Sequence, residues 1–350
     1  MKNNHLIIMA GGVGSRFWPM STVDTPKQFL DILGTGKSLL QLTAERFSEV
    51  CPRENIWIVT AEKYLPLVKD QLPELHESRI LLEPCMRNTA PCIAYAAWKI
   101  KAKYPDANLV VSPADHIVID TTEFQRVLNE SLEFTSEKEA IVTLGMKPSR
   151  PETGYGYIQA ELGNECITRV NAFKEKPNLE TAKVYLDNGS YFWNAGIFVW
   201  NVNTIEKVFR AFLPEMAELF DKGNEHWFHQ IEQEFITTNF PKCEKISVDY
   251  GIMEHAKEIY VYLADFGWSD LGTWGSLYDR LPKNSNDNAV IGDNVKLIDS
   301  EECVVHVPKD KKVVVQGLQN YIIAEKDGTL LICDKANEQQ IGQYGKLFEK

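Results

Sequence analysis

The sequence has no C-x-x-C pair, no long apolar run and no surplus of basic residues. Its seven cysteines lie singly along the chain, at positions 51, 85, 92, 166, 243, 303 and 333. An odd number of scattered cysteines argues against a disulfide framework and against a zinc site with paired ligands. Reduced thiols are the simpler interpretation, so we expect a protein of the reducing cytoplasm.

The lack of a long apolar segment argues against a membrane protein. The N-terminal sequence MKNNHLIIMAGG has only about five consecutive apolar residues, fewer than a signal peptide needs. Elsewhere no stretch approaches the roughly 20 apolar residues of a membrane-spanning helix. We therefore expect neither a membrane partner nor a secretory route.

The balance of charge argues against a nucleic-acid-binding surface. Lys and Arg number 37 against 49 Asp and Glu, which gives a formal net charge of −12. Proteins that grip a phosphate backbone do so with clustered basic residues. Any phosphate site in this chain should therefore be local, made by a few particular residues.

The first 144 residues alternate between short β-branched runs and amphipathic stretches, which is the pattern of repeated βαβ units. Such units form a parallel sheet covered by helices, with ligands at the carboxyl ends of the strands. The predicted strands are His5–Ala10, Asn55–Thr60, Arg79–Glu83, Asn108–Ser112 and Ala140–Leu144, and the predicted helices are 38–50, 62–72, 89–103 and 122–136.

The remainder of the chain predicts a mixed region followed by a small β-rich one. Strands are expected near 155–160, 166–173, 192–200 and 259–263, with helices near 179–187, 202–212, 214–221 and 224–235. After the polar run 283–288, short strands separated by turn residues continue to about residue 335. The predicted fold is α/β, a Rossmann-like mixed, mostly parallel sheet flanked by helices, with domains 1–283 and 284–350.

A glycine-rich loop directly follows the first predicted strand. Glycines in close succession let backbone N–H groups turn toward an anion, and the arginine adds a bidentate donor. The loop differs from a dinucleotide fingerprint and from a Walker loop, because Phe17 and Asp31 occupy required glycine positions. A tight strand-to-helix turn is the alternative. The candidate phosphate-binding residues are Gly11, Gly12, Gly14, Ser15 and Arg16.

Lys27 follows Pro26 shortly after this loop. Proline fixes the backbone just before the lysine, whose ammonium group could reach the same phosphates. On its own, a single lysine after proline is more often solvated than catalytic.

The loop and the lysine stand in strings similar to the signature of the nucleoside-diphosphate-sugar pyrophosphorylase family. Trp18-Pro19 and Gln28-Phe29 resemble its mannose-1-phosphate guanylyltransferase branch in particular. The resemblance covers roughly residues 5–280, and so many motifs in one order make it specific. The further matching segments are Glu83-Pro84 with Arg87–Pro91, Pro113–His116, Gly154–Ile158, Phe173–Pro177, Trp193–Phe198, Val248–Glu254 and Trp268–Trp274.

Two aspartates are candidate metal ligands. Asp115 follows an apolar strand at the sheet edge where ligands bind, and Mg²⁺ prefers oxygen ligands while sharing substrate phosphates. The resemblance implies that Asp115 is one ligand of Mg²⁺, or of another divalent cation, and that Asp270 is the second. For either aspartate alone, capping a turn or pairing with a cation is the alternative.

Five residues are candidates for contacts with a sugar phosphate, and Asp270, already a candidate metal ligand, is one of them. The resemblance implies that Lys176 binds the 1-phosphate and that Glu175 reaches sugar hydroxyls. Asn194 can donate and accept hydrogen bonds, and Gly156 allows close approach of a hexose to the backbone. An exposed ion pair and ordinary turn chemistry are the alternatives.

Glu83 and Asn88 follow the third predicted strand, where they could pair with the edge of a guanine base. The resemblance places this segment near the base. His226 and His229 have i, i+3 spacing on a predicted helix, but no carboxylate motif accompanies them, so we predict no metal site there. His116 is expected to orient the loop that carries Asp115.

The resemblance implies GTP and mannose 1-phosphate as substrates and GDP-mannose and pyrophosphate as products. Such a transfer requires in-line placement and charge neutralisation, which we assign to the metal, Arg16, Lys27 and Asp115. One alternative is the same fold acting on another nucleotide or sugar, such as UTP or dTTP with glucose 1-phosphate. Another is a catalytically silent regulatory homologue.

Two expectations concern the C-terminal part of the chain. Relatives with two activities carry an added isomerase domain, for which this chain stops too early, so a single activity is predicted. The small β-rich region could mediate subunit contacts, which makes a homodimer one option for the oligomeric state.

Overall fold

The chain forms two compact units in the computed structural model, which describes residues 3–161, 163 and 165–348. The first unit consists of Met1–Gly11, Thr43–Ala114 and Val118–Trp268, and the second of Gly12–Leu42, Asp115–Ile117 and Ser269–Lys350. The predicted division into 1–283 and 284–350 does not coincide with these units, because Gly12–Leu42 groups with the C-terminal residues.

The first unit is built on a nine-stranded sheet. Its strands are β1 (Asn4–Met9), β2 (Ile56–Ala61), β3 (Ile80–Glu83), β4 (Asn108–Pro113), β5 (Ile141–Met146), β6 (Tyr157–Ala160), β7 (Ile167–Lys174), β8 (Tyr191–Asn201) and β9 (Ile259–Ala264). They lie in the order β3-β2-β1-β4-β8-β5-β9-β7-β6. Strands β1 to β4 pair in parallel, whereas β8 is antiparallel to both β4 and β5. The mixed α/β fold predicted from the sequence is confirmed.

Helices cover this sheet, and further helices belong to the second unit. They are α1 (Leu39–Arg46), α2 (Leu65–Gln71), α3 (Thr89–Lys103), α4 (Thr121–Glu137), α5 (Leu179–Asn188), α6 (Val202–Phe212), α7 (Pro214–Asp221), α8 (Glu232–Asn239), α9 (Trp274–Arg280) and α10 (Ile341–Tyr344). The described residues include no helix long and apolar enough to span a membrane.

Helix α3 is the most deeply buried helix near the candidate base segment. Asn88 precedes it with a φ of 69°, and its Oδ1 accepts a hydrogen bond from the Thr89 N–H, which caps the first turn. Every residue from Ala90 to Ile100 is buried, and the alanines among them allow neighbouring elements to pack closely. The helix ends at Lys103, just before the Tyr104-Pro105 pair, because the residue before a proline disfavours helical backbone.

The second unit contains short strands stacked in successive turns of the chain. These are β10 (Ala289–Ile291), β11 (Asn294–Ile298), β12 (Val304–His306), β13 (Lys312–Gln316), β14 (Tyr321–Lys326) and β15 (Thr329–Asp334). Strands β10, β12 and β14 pair in parallel and form one sheet with β15, which is antiparallel to β14, while β11 and β13 form another sheet. The side chains of Phe17, Trp274 and Ile341 are buried against this β-rich region in one cluster. The predicted strand-rich C-terminal region is therefore confirmed.

One predicted helix is wrong. The chain forms turns before Glu232, where α8 begins, so the predicted helix over 224–235 is present only at its end. Phe228 adopts a φ of 67°, and its N–H donates to Glu232 Oε2 at 2.8 Å. Glu232 is buried and also accepts hydrogen bonds from Lys99 and Tyr95. This tertiary network fixes a left-handed residue that a regular helix cannot contain.

The stacked strands of the second unit allow a direct test of its packing. Replacing Ile322, which is 0% exposed in β14, with alanine should lower the free energy of unfolding by about 2–5 kcal/mol, because a buried cavity results. Ile332→Ala in β15 is the matched control: that side chain is 55% exposed, and its loss should change stability by less than about 0.5 kcal/mol. Urea unfolding followed by tryptophan fluorescence measures both; equal losses would contradict the assigned packing.

Candidate active site

The candidate residues form separate groups in the two units. The second unit contains Gly12 to Arg16 of the glycine loop, Lys27 and both candidate metal aspartates. The first unit contains Gly11, the candidate base residues and the candidate sugar residues.

The glycine loop requires glycine at one position in particular. Gly14 has φ 69° and ψ 41°, and a Cβ atom there would lie 2.7 Å from Lys27 Cβ. Any other residue would be strained by this conformation and would collide with the lysine. Ser15 and Arg16 follow in a short 3₁₀ turn, where Arg16 is exposed to solvent. The loop thus presents the Arg16 guanidinium where an anionic ligand can reach it.

Lys27 is buried, and its ammonium group has three close oxygen neighbours. Its side chain is 4% exposed, with Nζ 2.8 Å from Asp115 Oδ2. Nζ also donates to the carbonyl oxygens of Asp270 and Leu271, at 2.9 and 2.8 Å. An ammonium group has three protons, so these partners account for all of its donors. Lys27 therefore holds the two aspartate segments in place, and its contact with a phosphate stays a prediction.

A backbone bridge brings the two aspartate segments side by side. Ile117 and Ser269 exchange two antiparallel hydrogen bonds, at 2.8 and 3.1 Å, and each lies within two residues of an aspartate. Asp115 and Asp270, 155 positions apart in sequence, are thereby brought to one ammonium group. The Gly272 N–H donates to Asp270 Oδ1 at 2.9 Å and orients that carboxylate.

The electrostatics keep Asp115 ionised. Burial by itself would raise the pKa of Asp115, but Lys27 and, to a lesser extent, His116 hold the pKa below its ordinary value. His116 Nε2 lies 4.0 Å from Asp115 Oδ1, and the orienting role expected of this histidine stays a prediction.

Asp115 and Asp270 offer the carboxylate oxygens that a magnesium ion shared with substrate phosphates would need. Among residues 3–161, 163 and 165–348, no cluster of three or more His, Cys, Asp or Glu side chains could hold a metal ion. Mg²⁺ commonly uses only one or two carboxylates, with waters and substrate phosphates as its other ligands. The pair is therefore compatible with such an ion, whereas a closed metal cage made by protein alone is not found in that part of the chain.

The candidate sugar residues meet in the first unit around Gly156. A Cβ atom at Gly156 would lie 2.5 Å from Glu175 Oε2, so glycine is needed to admit that carboxylate. The Gly156 carbonyl accepts a hydrogen bond from the Asn194 N–H at 2.8 Å. Lys176 has a φ of 44° and pairs with Glu175 Oε1 at 2.6 Å. The structure thus brings together four of the five predicted residues of this group, whereas Asp270 belongs to the second unit.

Glu175 keeps Lys176 charged. Burial would lower the pKa of the lysine, but the hydrogen bond and the charge of Glu175 raise it above its ordinary value. The Lys176 side chain remains half exposed, so it carries a fixed positive charge that an anionic ligand can reach.

Asn194 is oriented by two residues that sequence reasoning did not single out. Its Oδ1 accepts hydrogen bonds from Thr143 Oγ1 at 2.9 Å and from the Gly196 N–H at 3.1 Å. Its Nδ2 donates to Asp249 Oδ1 at 3.1 Å. Both acceptor sites of the amide oxygen are therefore used, which leaves Asn194 as a donor only. Asp249 stood within a recognised motif without a role, and nothing in the sequence indicated Thr143.

The candidate base residues lie at the end of β3 and the start of α3. Glu83 is 7% exposed, and burial raises its pKa to about 7. Its Oε1 has no hydrogen-bond partner in the described part of the chain. A Cβ atom at Gly11 would lie 3.6 Å from Glu83 Oε2, so the loop glycine passes close to this carboxylate. A buried acceptor without a donor is costly and is often found where a ligand supplies the donor.

Two other predictions concern side chains in the same unit. Asn88 Oδ1 is occupied by the Thr89 N–H, which leaves mainly the Nδ2 group of Asn88 for a ligand. His226 and His229 lie in turns rather than on a helix. They belong to no cluster of three or more potential metal ligands among the described residues.

Comparison with known proteins identifies the family. Residues 5–286 match the nucleotidyl transferase family model. Mannose-1-phosphate guanylyltransferase of Salmonella montevideo is 36% identical over 357 residues, covering 98% of this chain and 73% of the relative. Alginate biosynthesis protein AlgA of Pseudomonas aeruginosa is 34% identical, covering 96% and 70%.

A solved structure agrees with these sequence relatives. The crystal structure of mannose-1-phosphate geranyltransferase from Thermus thermophilus superposes with a TM-score of 0.89 at 31% identity, covering 99% of this chain and 100% of that one. The matches extend over both units and include the glycine loop and the aspartate segments. The chain belongs to the nucleotidyl transferase family.

Proposed function

We propose that this protein transfers GMP from GTP to mannose 1-phosphate, forming GDP-mannose and pyrophosphate. The observation that carries the reaction type is the convergence of Asp115 and Asp270 on the Lys27 ammonium group. The choice of substrates rests on the relatives, several of which are mannose-1-phosphate guanylyltransferases that match nearly the whole chain. Seven free cysteines support a cytoplasmic location.

In the proposed reaction, an oxygen of the sugar 1-phosphate attacks the α-phosphorus of GTP. The bond from that phosphorus to the bridging oxygen breaks, and pyrophosphate leaves with the electron pair. The attacking phosphate is already ionised, so no general base is required. The protein's task is to align the two substrates and to neutralise charge.

Each group of residues has a part in this scheme. A bound Mg²⁺, held by Asp115 and Asp270, supplies neutralisation of the triphosphate charge. Lys27 keeps Asp115 ionised and holds both aspartate segments. Arg16 is exposed on the glycine loop as a bidentate phosphate donor. Lys176 binds the sugar 1-phosphate, and Glu175 and Asn194 bind its hydroxyls.

The proposed base specificity predicts a strong preference for GTP. The carboxylate of Glu83 can accept hydrogen bonds from the N1–H and 2-amino groups of guanine. Adenine has neither of these two donors. With mannose 1-phosphate, ATP, UTP and dTTP should be turned over at least about 100-fold less efficiently, because a buried acceptor is left unpaired. A nucleotide-by-sugar panel with pyrophosphate detection measures this directly.

Three other outcomes would contradict this proposal. A kcat/KM for UTP or dTTP equal to that for GTP, or a preference for glucose 1-phosphate, would assign different substrates. No turnover of any pair would indicate a silent homologue.

The proposed phosphate contact predicts an effect confined to one substrate. Lys176→Ala should raise KM for mannose 1-phosphate by about 10- to 100-fold, since a charged hydrogen bond is lost, with much less change in KM for GTP. Lys174→Ala is the matched control, because Lys174 is an exposed lysine at the end of β7, two residues before Lys176. A similar rise in both KM values for Lys176→Ala would contradict the assignment.

The two-aspartate metal site predicts that the effects of the two aspartate substitutions on kcat are not additive. Asp115→Asn and Asp270→Asn should each lower kcat by at least about 100-fold, because each removes a charge that holds the ion. The double variant should be little worse than either single one, since both serve one ion. Asp293→Asn is the control, because Asp293 is exposed.

The residual activity of each single variant is also measured at increasing Mg²⁺ concentrations. Half-maximal activity should require more Mg²⁺ in each single variant than in the wild-type protein. An unchanged Mg²⁺ dependence of Asp270→Asn would leave Asp115 as the only ligand.

A further inference from the structure

The segment 241–254 joins the candidate base segment to the candidate sugar residues within the first unit. On one side it is bound by the start of α3 and the residues before it. The Arg87 guanidinium donates to the Pro241 carbonyl, and the Ala90 N–H donates to the Ile246 carbonyl at 3.1 Å. The Val248 N–H donates to Thr89 Oγ1 at 2.9 Å. Three bonds thus fix the backbone up to the residue before Asp249.

On its other side, the same segment holds two of the predicted sugar-binding residues. Asp249 Oδ1 accepts a hydrogen bond from Asn194 Nδ2 at 3.1 Å. Glu254 Oε1 accepts a hydrogen bond from the Glu175 N–H at 3.2 Å. A π-helix over Asp249–Met253 lies between these two contacts. Single-turn π-helices are uncommon and often occur at functional sites, because the wide turn re-aims side chains.

The π-helix is held firmly against the core. Ile252 and Met253 are buried, and a Cβ atom at Gly251 would lie 3.1 Å from Leu213 Cδ1. Movement of Asp249 toward solvent would therefore have to disturb the packing behind it. Its carboxylate is presented to the sugar group by a rigid support.

The carboxylates of Asp249 and Glu175 repel each other unless a ligand donates hydrogen bonds to them. Burial and the nearby charge of Glu175 raise the pKa of Asp249 above its ordinary value, and Lys176 offsets only part of this effect. Asn194 donates to one oxygen of Asp249, and Lys176 to one oxygen of Glu175. Two carboxylates converging beside one lysine suit a ligand with several hydroxyl donors, which is the chemistry of a hexose.

We propose that Asp249 binds a hydroxyl group of the hexose and that Thr89 is a positioning residue. The Thr89 hydroxyl oxygen accepts the hydrogen bond from the Val248 N–H and thereby fixes the position of Asp249, the next residue. This inference rests on the proposed function and extends it. It also gives one residue of the Arg87–Pro91 segment, Thr89, a role in sugar recognition. The Thr89 hydroxyl oxygen is engaged by Val248, so it serves sugar recognition rather than guanine recognition.

Hydroxyl-deleted substrates distinguish a direct contact from a structural effect. Wild-type protein should lose about 10- to 100-fold in kcat/KM with the one deoxy analogue of mannose 1-phosphate that lacks the bound hydroxyl. Asp249→Asn should show a raised KM for mannose 1-phosphate and should no longer discriminate against that analogue. KM for GTP should stay within about twofold, since Asp249 makes no contact with the base.

The role of Thr89 is tested by a matched pair of variants. Thr89→Val keeps the shape but removes the acceptor for the Val248 N–H, so it should raise KM for mannose 1-phosphate by about 5- to 20-fold. Thr89→Ser retains the hydroxyl and should behave as wild type. Both proteins are compared by circular dichroism and thermal unfolding, so that a folding defect is recognised.

Several outcomes would overturn this inference. A change in KM for GTP as large as that for the sugar phosphate would assign Thr89 to the base. An analogue penalty in Asp249→Asn equal to that of wild type would remove Asp249 from the hydroxyl contact. Failure of the wild-type protein to turn over any hexose 1-phosphate would instead contradict the proposed function, and this inference with it.

Discussion

The candidate metal site depends on the contacts of one buried group, the ammonium group of Lys27. A lysine removed from water is strongly destabilising unless its charge and its three protons find partners. Here the partners are one carboxylate oxygen of Asp115 and the carbonyls of Asp270 and Leu271. Segments distant in sequence are thereby fixed around one point. The same contact keeps Asp115 ionised, so one interaction provides both the geometry and the charge state that a divalent cation needs.

Sequence reasoning succeeded where a local pattern has a local cause. The alternation of apolar strands with amphipathic helices predicted β1 to β5 closely, because burial of both sheet faces dictates that pattern. The glycine loop was also predictable, since glycines follow β1 closely and Gly14 among them adopts a positive φ. The helix predicted over 224–235 was wrong because Glu232, anchored by Lys99 and Tyr95, captures the Phe228 N–H. No periodicity in the sequence reports such a tertiary contact.

The same distinction applies to the candidate site. Residue types in recognised motifs indicated Asp115, Asp270, Lys176 and Asn194, whose roles stay predictions. The motifs did not reveal that the oxygen of Asn194 is fully occupied by Thr143 and Gly196. Nor did they indicate that Lys27 points toward the aspartates, because a side chain's direction depends on packing between distant segments. Asp249 lay within a motif, but only its hydrogen bond to Asn194 suggests what it does.

The acidic character of the chain fits a site that relies on cations from outside. With a net charge of −12, the protein does not attract polyphosphates over long distances, and screening confines each charge to its surroundings. In each unit the candidate phosphate-binding lysine is already paired with a carboxylate: Lys27 with Asp115 in the second unit and Lys176 with Glu175 in the first. Under the proposed function, additional positive charge would therefore accompany the triphosphate. Asp115 and Asp270 would repel the phosphates by themselves but would attract a divalent ion bound to them, so the metal complex would bind in preference to the bare nucleotide.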